Sequence, residues 1–403
     1  MRTSSLAKIA AIGVAGVMAL SACSNSSDDN EGPGLPGGST GNNPGGNASK
    51  TYKIGWQGPL SGDNQQLGIN EANGSRLAVK EANDKGDLGF KLVMVESDDV
   101  GTADKAPAAA AKLLQDADIL GVVGPAFSGP TSATGKTYAA ANMGLISGSA
   151  TNATLTSSGF TTFHRVVPTD GVEGTQLAEW LAKKFKTVFV VDDTSTYGKG
   201  VADVVRKTLT EKGVKITNQG VAANTQDYGA IAQRVTQSKA EALFYGGYDA
   251  QSALFAKALA ASGYKGLKMT GNGGKSSVFT SGAGAAGNGW YFACGCQDAT
   301  TAPESKAFAE AYEKMFNTPP STYSPESYDA TNALIAALKA AVKTTNGNPT
   351  RKSVVEEIDK LDIPGITTQL KFADNGEVAN ATVNLYTQKD GKIVMLGKMQ
   401  DQA

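Results

Sequence analysis

The sequence predicts an α/β fold of two lobes, each wound on both faces of a parallel sheet, and three observations carry that prediction. Strand-period and helix-period segments alternate almost without interruption from residue 51 onward, the pattern of a doubly wound sheet. The alternation runs through two cycles with a break at Pro168-Thr169-Asp170, and 403 residues suit two domains better than one. The apolar run ILGVV, from Ile119 to Val123, stops at Gly124-Pro125 and opens into small residues, as a strand does at the carboxyl edge of an α/β sheet, where such proteins bind ligands.

Taken in order, the chain begins with a targeting segment. Arg2 and Lys8 precede an apolar stretch at 9–20, too short to span a bilayer comfortably, and Leu20-Ser21-Ala22-Cys23 closes it with small residues and a cysteine. This order resembles the lipobox of bacterial lipoproteins, which implies a signal peptide at 1–22 and a lipid on Cys23. Acyl chains there would hold the protein at a membrane surface. Residues 24–50 are Ser, Asn, Gly, Pro and Asp with almost nothing apolar. Such a stretch is expected to act as a tether with a root-mean-square reach of roughly 30 Å.

The first cycle reads as a strand at 53–58, a helix at 66–83, a strand at 91–96, an Ala-rich helix at 103–115 and the strand that ends at Gly124. A loop of small residues then leads to a helix at 134–142 and a strand at 145–147, which ends in Gly148-Ser149-Ala150-Thr151. Ser128 offers a hydroxyl and, beside Gly129, a backbone N–H close to a helix start, where a carboxylate is favoured. Two neighbouring strand ends lined with hydroxyls suit a small polar ligand.

In the second cycle Asp170 reads as the N-cap of a helix ending near Lys184, and the β-branched run at 187–191 as a strand buried on both faces. Helices at 200–212, 228–238 and 250–262 alternate with strands at 214–217, 242–245 and 267–270. Helices at 303–316, 327–342 and 350–361 follow, then strands at 369–372, 383–388 and 393–396, the last two joined at Lys389-Asp390-Gly391.

Composition excludes several functions. With 37 basic and 38 acidic residues the net charge is -1, so the chain lacks the basic excess that nucleic acid requires. The single histidine, His164, lies in the strand-like Phe163-His164-Arg165 and reads as an ordinary half-buried side chain rather than part of a catalytic triad or a metal site. Gly135-Lys136-Thr137 and Gly274-Lys275-Ser276 end like a P-loop, yet Pro130 and Met269 stand where the first glycine must be. No G-x-S-x-G elbow occurs. Cys294-Gly295-Cys296 lacks the second pair a zinc site needs; in an exported chain the two thiols can form a tight disulfide, stay free or meet another thiol. The reading is therefore of a chain that uses no metal or cofactor and is not an enzyme.

Several stretches together carry a family resemblance: IGWQGPLSG from Ile54, ANGSRLAVKEAN from Ala72, Gly124 to Ser128, SGSATNATLT from Ser147, DDTSTYGKG from Asp192, FYGGYD from Phe244 and SYDA from Ser327. In this order and spacing the sequence resembles the branched-chain amino-acid binding proteins of ABC importers, with the type I periplasmic-binding-protein fold. The resemblance implies a three-segment hinge, with crossings near 167–169, 294–298 and 370–372. The lobes are then discontinuous, 51–168 with 297–370 and 169–296 with 371–403. It implies that Ser128 and Thr151 grip the ligand carboxylate and that the Ser149 carbonyl, beside Ala150, takes an ammonium proton. Tyr197 and Tyr248 would close over the ligand, while Phe127 and Tyr323 would touch its side chain.

Two positions depart from the family. Asn272 stands where relatives carry the glutamate that pairs with the ligand ammonium, and Leu67 where they often carry a tyrosine. Either the ligand lacks an ammonium, as an amide or simple carboxylate would, or another acid moves in: Glu326 first, Asp249 behind it. The expected partners are a small amino-acid-like solute and the permease and ATPase subunits of an importer. The protein itself is expected to act as a monomer, lipid-anchored on the outer face of the bacterial cell membrane. A lipoprotein that senses a ligand for a membrane receptor would use the same fold.

Overall fold

The computed structural model describes residues 50–379 and 382–402, so the readings on 1–49, including Cys23 and its tether, lie outside the described residues. The first cycle folds as β1 (Thr51–Gly58), α1 (Gln65–Lys85), β2 (Lys91–Asp98), α2 (Ala106–Gln115), β3 (Ile119–Val123), α3 (Ser128–Ala140), β4 (Gly144–Ser147) and β5 (Phe163–Arg165). The second is α4 (Asp170–Lys184), β6 (Thr187–Asp192), α5 (Thr196–Glu211), β7 (Lys215–Gly220), α6 (Gly229–Ser238), β8 (Ala242–Gly246), α7 (Asp249–Ser262), β9 (Leu267–Thr270), α8 (Ser277–Ala283) and β10 (Trp290–Cys294). The chain then returns as α9 (Lys306–Phe316), α10 (Ser324–Thr344), α11 (Arg351–Ile358), β11 (Asp362–Pro364) and β12 (Gln369–Lys371), and ends with β13 (Asn384–Lys389) and β14 (Lys392–Lys398).

Five parallel strands in the order β2-β1-β3-β4-β5 form the first sheet. The second has the order β14-β13-β10-β9-β8-β6-β7, parallel except for β13 and β14, which add an antiparallel edge to the predicted parallel sheet. β3 and β8 are buried along their whole length, which explains their unbroken apolar character. Strand order reverses between β1 and β3 in one sheet and between β6 and β8 in the other. The carboxyl ends beside those reversals are where a crevice opens. Gly124, at φ +109°, makes the first of these turns, and a Cβ there would lie 2.3 Å from the Gln57 carbonyl oxygen. α1 and α10 pack together through Gly74, whose added Cβ would meet the Ser324 carbonyl oxygen at 2.1 Å.

Several local expectations are corrected. α3 starts at Ser128, six residues before the expected 134, because Pro130 is tolerated in a first helical turn. Thr169, not Asp170, caps α4: its hydroxyl accepts from the Val172 N–H at 3.2 Å, and Asp170 becomes the first helical residue. β10 was not anticipated, since a central buried strand has no polar alternation to mark it. The turn before β14 uses Asp390 and Gly391, both at positive φ, as a two-residue hairpin requires. Among the described residues no helix is long and apolar enough to cross a membrane.

The chain passes between the sheets three times. The first passage follows β5 and the second follows β10, where Cys294 and Cys296 are joined by a disulfide. The third was expected at 370–372, but Phe372 and Val378 bridge each other and pack in the first lobe's core, and the Arg165 N–H donates to the Gly376 carbonyl, so this segment still belongs to the first lobe. The crossing comes after Ala379 and before β13.

Arg165 holds this region together. Fully buried, it forms a two-pronged ion pair with Glu377, Nε to Oε2 at 2.9 Å and Nη2 to Oε1 at 2.6 Å. Its Nη1 donates to the carbonyls of Ala150 at 2.8 Å and Asn152 at 2.9 Å. Planar geometry suits guanidinium to this task where an ammonium would not. Arg165→Met should cost roughly 3 kcal/mol, the scale for breaking a buried ion pair, read as a lower urea midpoint.

Candidate functional site

Loops from both sheets converge between the lobes. Leu67, Phe127, Ser128, Ser149, Tyr197, Tyr248, Asn272, Gly273 and Tyr323 line a cavity of about 10 Å³. A space of that size holds about one water. Phe127 and Tyr248, one from each lobe, stack with ring centroids 4.6 Å apart, and Tyr197 lies 5.1 Å from Tyr248. Further bonds pin the lobes together: Asn64 Nδ2 donates to Asp249 at 2.9 Å, Asn152 Nδ2 to the Thr196 carbonyl at 2.7 Å, and Thr322 Oγ1 to the Lys275 carbonyl at 2.7 Å. An amino-acid-sized solute therefore enters only when the rings part or the lobes rotate.

On the first lobe, α3 begins with Phe127 at its N-cap, a side chain that cannot cap. The N–H groups of Ser128 and Gly129 thus face the cleft end of the helix without a side-chain cap, which favours an anion. Ser128 Oγ accepts from the Asn152 N–H at 3.2 Å, so its own proton can be given to a ligand. The Ser149 hydroxyl is 2.7 Å from Glu71 Oε1 and 2.5 Å from the Ala126 carbonyl oxygen. With one proton it donates to only one of them. Burial pushes Glu71 up to about 8; as a neutral acid it donates to Ser149 and both contacts are satisfied. Ala150 turns its carbonyl to Arg165, away from the cavity.

Thr151 is buried and its hydroxyl lacks a hydrogen-bond partner. The next acid behind it was missed by the sequence. Asp170 is fully buried, its N–H donates to the Thr151 carbonyl at 2.8 Å, and neither carboxylate oxygen makes a hydrogen bond of good geometry. Burial, with the charge of Glu173 adding to it, pushes Asp170 up to about 8; the nearby Thr151 hydroxyl and Arg165 only ease this. A buried, unpaired carboxylate is costly unless a cation meets it.

On the second lobe Tyr197 accepts through its hydroxyl from the Gly273 N–H at 2.9 Å. Asn272 donates from N and Nδ2 to Glu173, each at 3.0 Å. With Nδ2 so committed, the atom Asn272 offers the cavity is its acceptor, Oδ1. Burial raises Glu173 to about 7, against the lowering effect of these bonds. Tyr323 reaches the cavity from a strained position, φ +69°, with its hydroxyl unpaired.

Neither acid expected to replace the missing glutamate lines this cavity. Asp249 is engaged by Asn64 and by Ser276 Oγ at 2.6 Å. Glu326 accepts from the Gln297 N–H at 2.7 Å and faces a different cavity at the hinge. It was the first choice for an acid that moves into the cleft, but the first turn of α10 points it at the second crossing.

The raised carboxyls give the fold a signed pH dependence. Asp170 and Glu71 hold their protons to higher pH in the folded chain than in the unfolded one, so their contribution is full at low pH and is lost as pH rises through about 8. Asp170→Asn should raise the Tm near pH 8, by about 1 kcal/mol or more of stability, and flatten the fall in Tm between about pH 5 and about pH 8.

Residues 51–392 match the periplasmic binding protein family. The Leu/Ile/Val-binding protein BraC3 of Rhizobium johnstonii is 29% identical over 346 residues, covering 85% of this chain and 92% of that one. The leucine binding protein LivK from Thermotoga maritima superposes with a TM-score of 0.79 at 22% identity, over 86% of this chain and 98% of that one. LivJ from Streptococcus pneumoniae, solved in complex with isoleucine, gives 0.77 at 26% identity, over 86% and 100%. The chain thus belongs to the periplasmic binding protein family, and its two-lobed α/β architecture is that family's type I fold.

Proposed function

We propose that this protein captures a small amino acid between its lobes outside the cytoplasm and delivers it to an ABC importer. The observation that carries this reading is Asp170: a buried carboxylate with no hydrogen bond of good geometry, close to the Thr151 hydroxyl and within electrostatic reach of Tyr197 and Tyr248. Those two tyrosines line a cavity that neither Asp170 nor Thr151 lines itself and whose other end is an uncapped helix N-terminus. A zwitterion answers both ends, with its carboxylate at Ser128 and the α3 amides and its ammonium at Asp170, Thr151 and Asn272 Oδ1. Leu67, Phe127, Tyr248 and Tyr323 leave an apolar and aromatic wall for the side chain. The names of the relatives, Leu/Ile/Val-binding and leucine binding, support a branched-chain amino acid. Ligand contact with both lobes would favour the closed form, which a permease can recognise. The Leu20-Ser21-Ala22-Cys23 sequence supports a lipid anchor at Cys23 on the outer face of the cell membrane.

A second reading has its own observation. Asn272 replaces the family's glutamate, and its amide accepts a hydrogen bond without neutralising a charge, which suits an amide or a simple carboxylate. Leucine and 4-methylpentanoate, which lacks only the amino group, separate the two. By calorimetry leucine should bind and 4-methylpentanoate should bind far more weakly. Ser128→Ala and Thr151→Val should each weaken leucine by about 1.5–3 kcal/mol, the range for hydrogen bonds to charged groups. Asp170→Asn should weaken leucine while leaving 4-methylpentanoate unchanged. A parent protein that binds 4-methylpentanoate and not leucine establishes the second reading; one that binds neither, nor isoleucine or valine, rejects the branched-chain ligand.

A further inference from the structure

A second cavity, of about 410 Å³, lies at the hinge. Its walls come from all three crossings: Pro168 from the first, Gly295 and Gln297 from the second, Thr382 from the third. Glu326 also faces it, 1% exposed, with Oε1 taken by the Gln297 N–H and Oε2 without any hydrogen-bond partner. Asp298 and Glu304 add two more carboxylates to the lining against one ammonium, Lys398. Thr368 and Thr382 supply hydroxyls. Nothing in the cleft explains this arrangement, since Glu326 does not line the solute cavity.

We propose that the hinge cavity is a second binding site, for a small organic ammonium cation whose charge pairs with Glu326 Oε2. The lining is net negative and its most buried acid has one oxygen unpaired, so a cation is the class of ligand that relieves it. A bare metal ion fits poorly, because among the described residues no three acidic, histidine or cysteine side chains come close enough to hold one. An amine with a hydroxyl arm can use both the carboxylate and the threonine rim. Burial holds the Glu326 carboxyl near 7, eased by the Gln297 N–H and by the charge of the buried Lys275, whose ammonium donates to Thr322 and leaves Oε2 without a hydrogen bond. Because the walls are the three crossings, an occupant favours the lobe angle that brings them together. Its affinity and that of the cleft solute are then coupled reciprocally.

Ethanolamine hydrochloride is the probe, titrated into the full-length protein and followed by saturation-transfer NMR, with sodium chloride at equal ionic strength as control. The parent should bind it. Glu326→Gln should weaken it about tenfold or more. Thr382→Phe, which fills the exposed rim without touching the Glu326–Gln297 bond, should abolish it, and Asp170→Asn should leave it unchanged. If Glu326→Gln does not fold, Thr382→Phe decides. The proposal is overturned if the parent shows no binding, if Thr382→Phe binds as the parent does, if a folded Glu326→Gln does so, or if Asp170→Asn loses binding, which would place the amine in the cleft.

Discussion

The buried Arg165 guanidinium is the interaction on which the geometry of the first lobe's binding edge depends. It sits at the end of β5, clasps Glu377 with two nitrogens and holds the carbonyls of Ala150 and Asn152 with the third. Those carbonyls flank Thr151, so one side chain sets the loop that presents the Thr151 hydroxyl. The same clasp keeps the segment around Glu377 against the first sheet and thereby delays the third crossing. A surface ion pair could not do this, since its geometry would be loosened by water and long side-chain entropy.

Around this frame the cleft is built with more buried acid than buried base. Glu71, Asp170 and Glu173 lie behind its lining residues Ser149, Tyr197 and Asn272, and their environment is largely desolvating, which is why all three are pushed upward. They are not equivalent. Glu71 shares a proton-sized contact with Ser149, and Glu173 is occupied by Asn272, whereas Asp170 has only the Thr151 hydroxyl nearby, without a hydrogen bond of good geometry. Only a group with an unmet need discriminates strongly among ligands, because a satisfied one gains nothing from binding.

Cleft and hinge share components. Glu173, on α4, accepts from Asn272 with Oε1 and from the Gly295 N–H with Oε2 at 3.2 Å, so a cavity-lining loop and the second crossing hang on one carboxylate. Glu326, on α10 of the other lobe, holds the same crossing at Gln297. The segment bearing the Cys294–Cys296 disulfide is thus gripped by an acid from each lobe. Short crossings gripped in this way favour rotation of whole lobes over local loosening.

The sequence by itself determined the alternation of strands and helices, the two cycles, and the hydroxyl-bearing strand ends at Ser128 and Ser149, because these follow from periodicity and turn chemistry among near neighbours. It also carried the family resemblance, and with it Tyr197, Tyr248, Phe127 and Tyr323 at the cavity. Only the tertiary structure decided which acid is left unpaired. Asp170 looked like a cap because aspartate at a helix start usually is one, and Thr169 took that role one residue earlier. Asn272 found its partner 99 residues away in Glu173, and Glu326 turned to Gln297 instead of the cleft. Such pairings depend on how packed elements meet across long stretches of chain, and no local pattern of residue types records them.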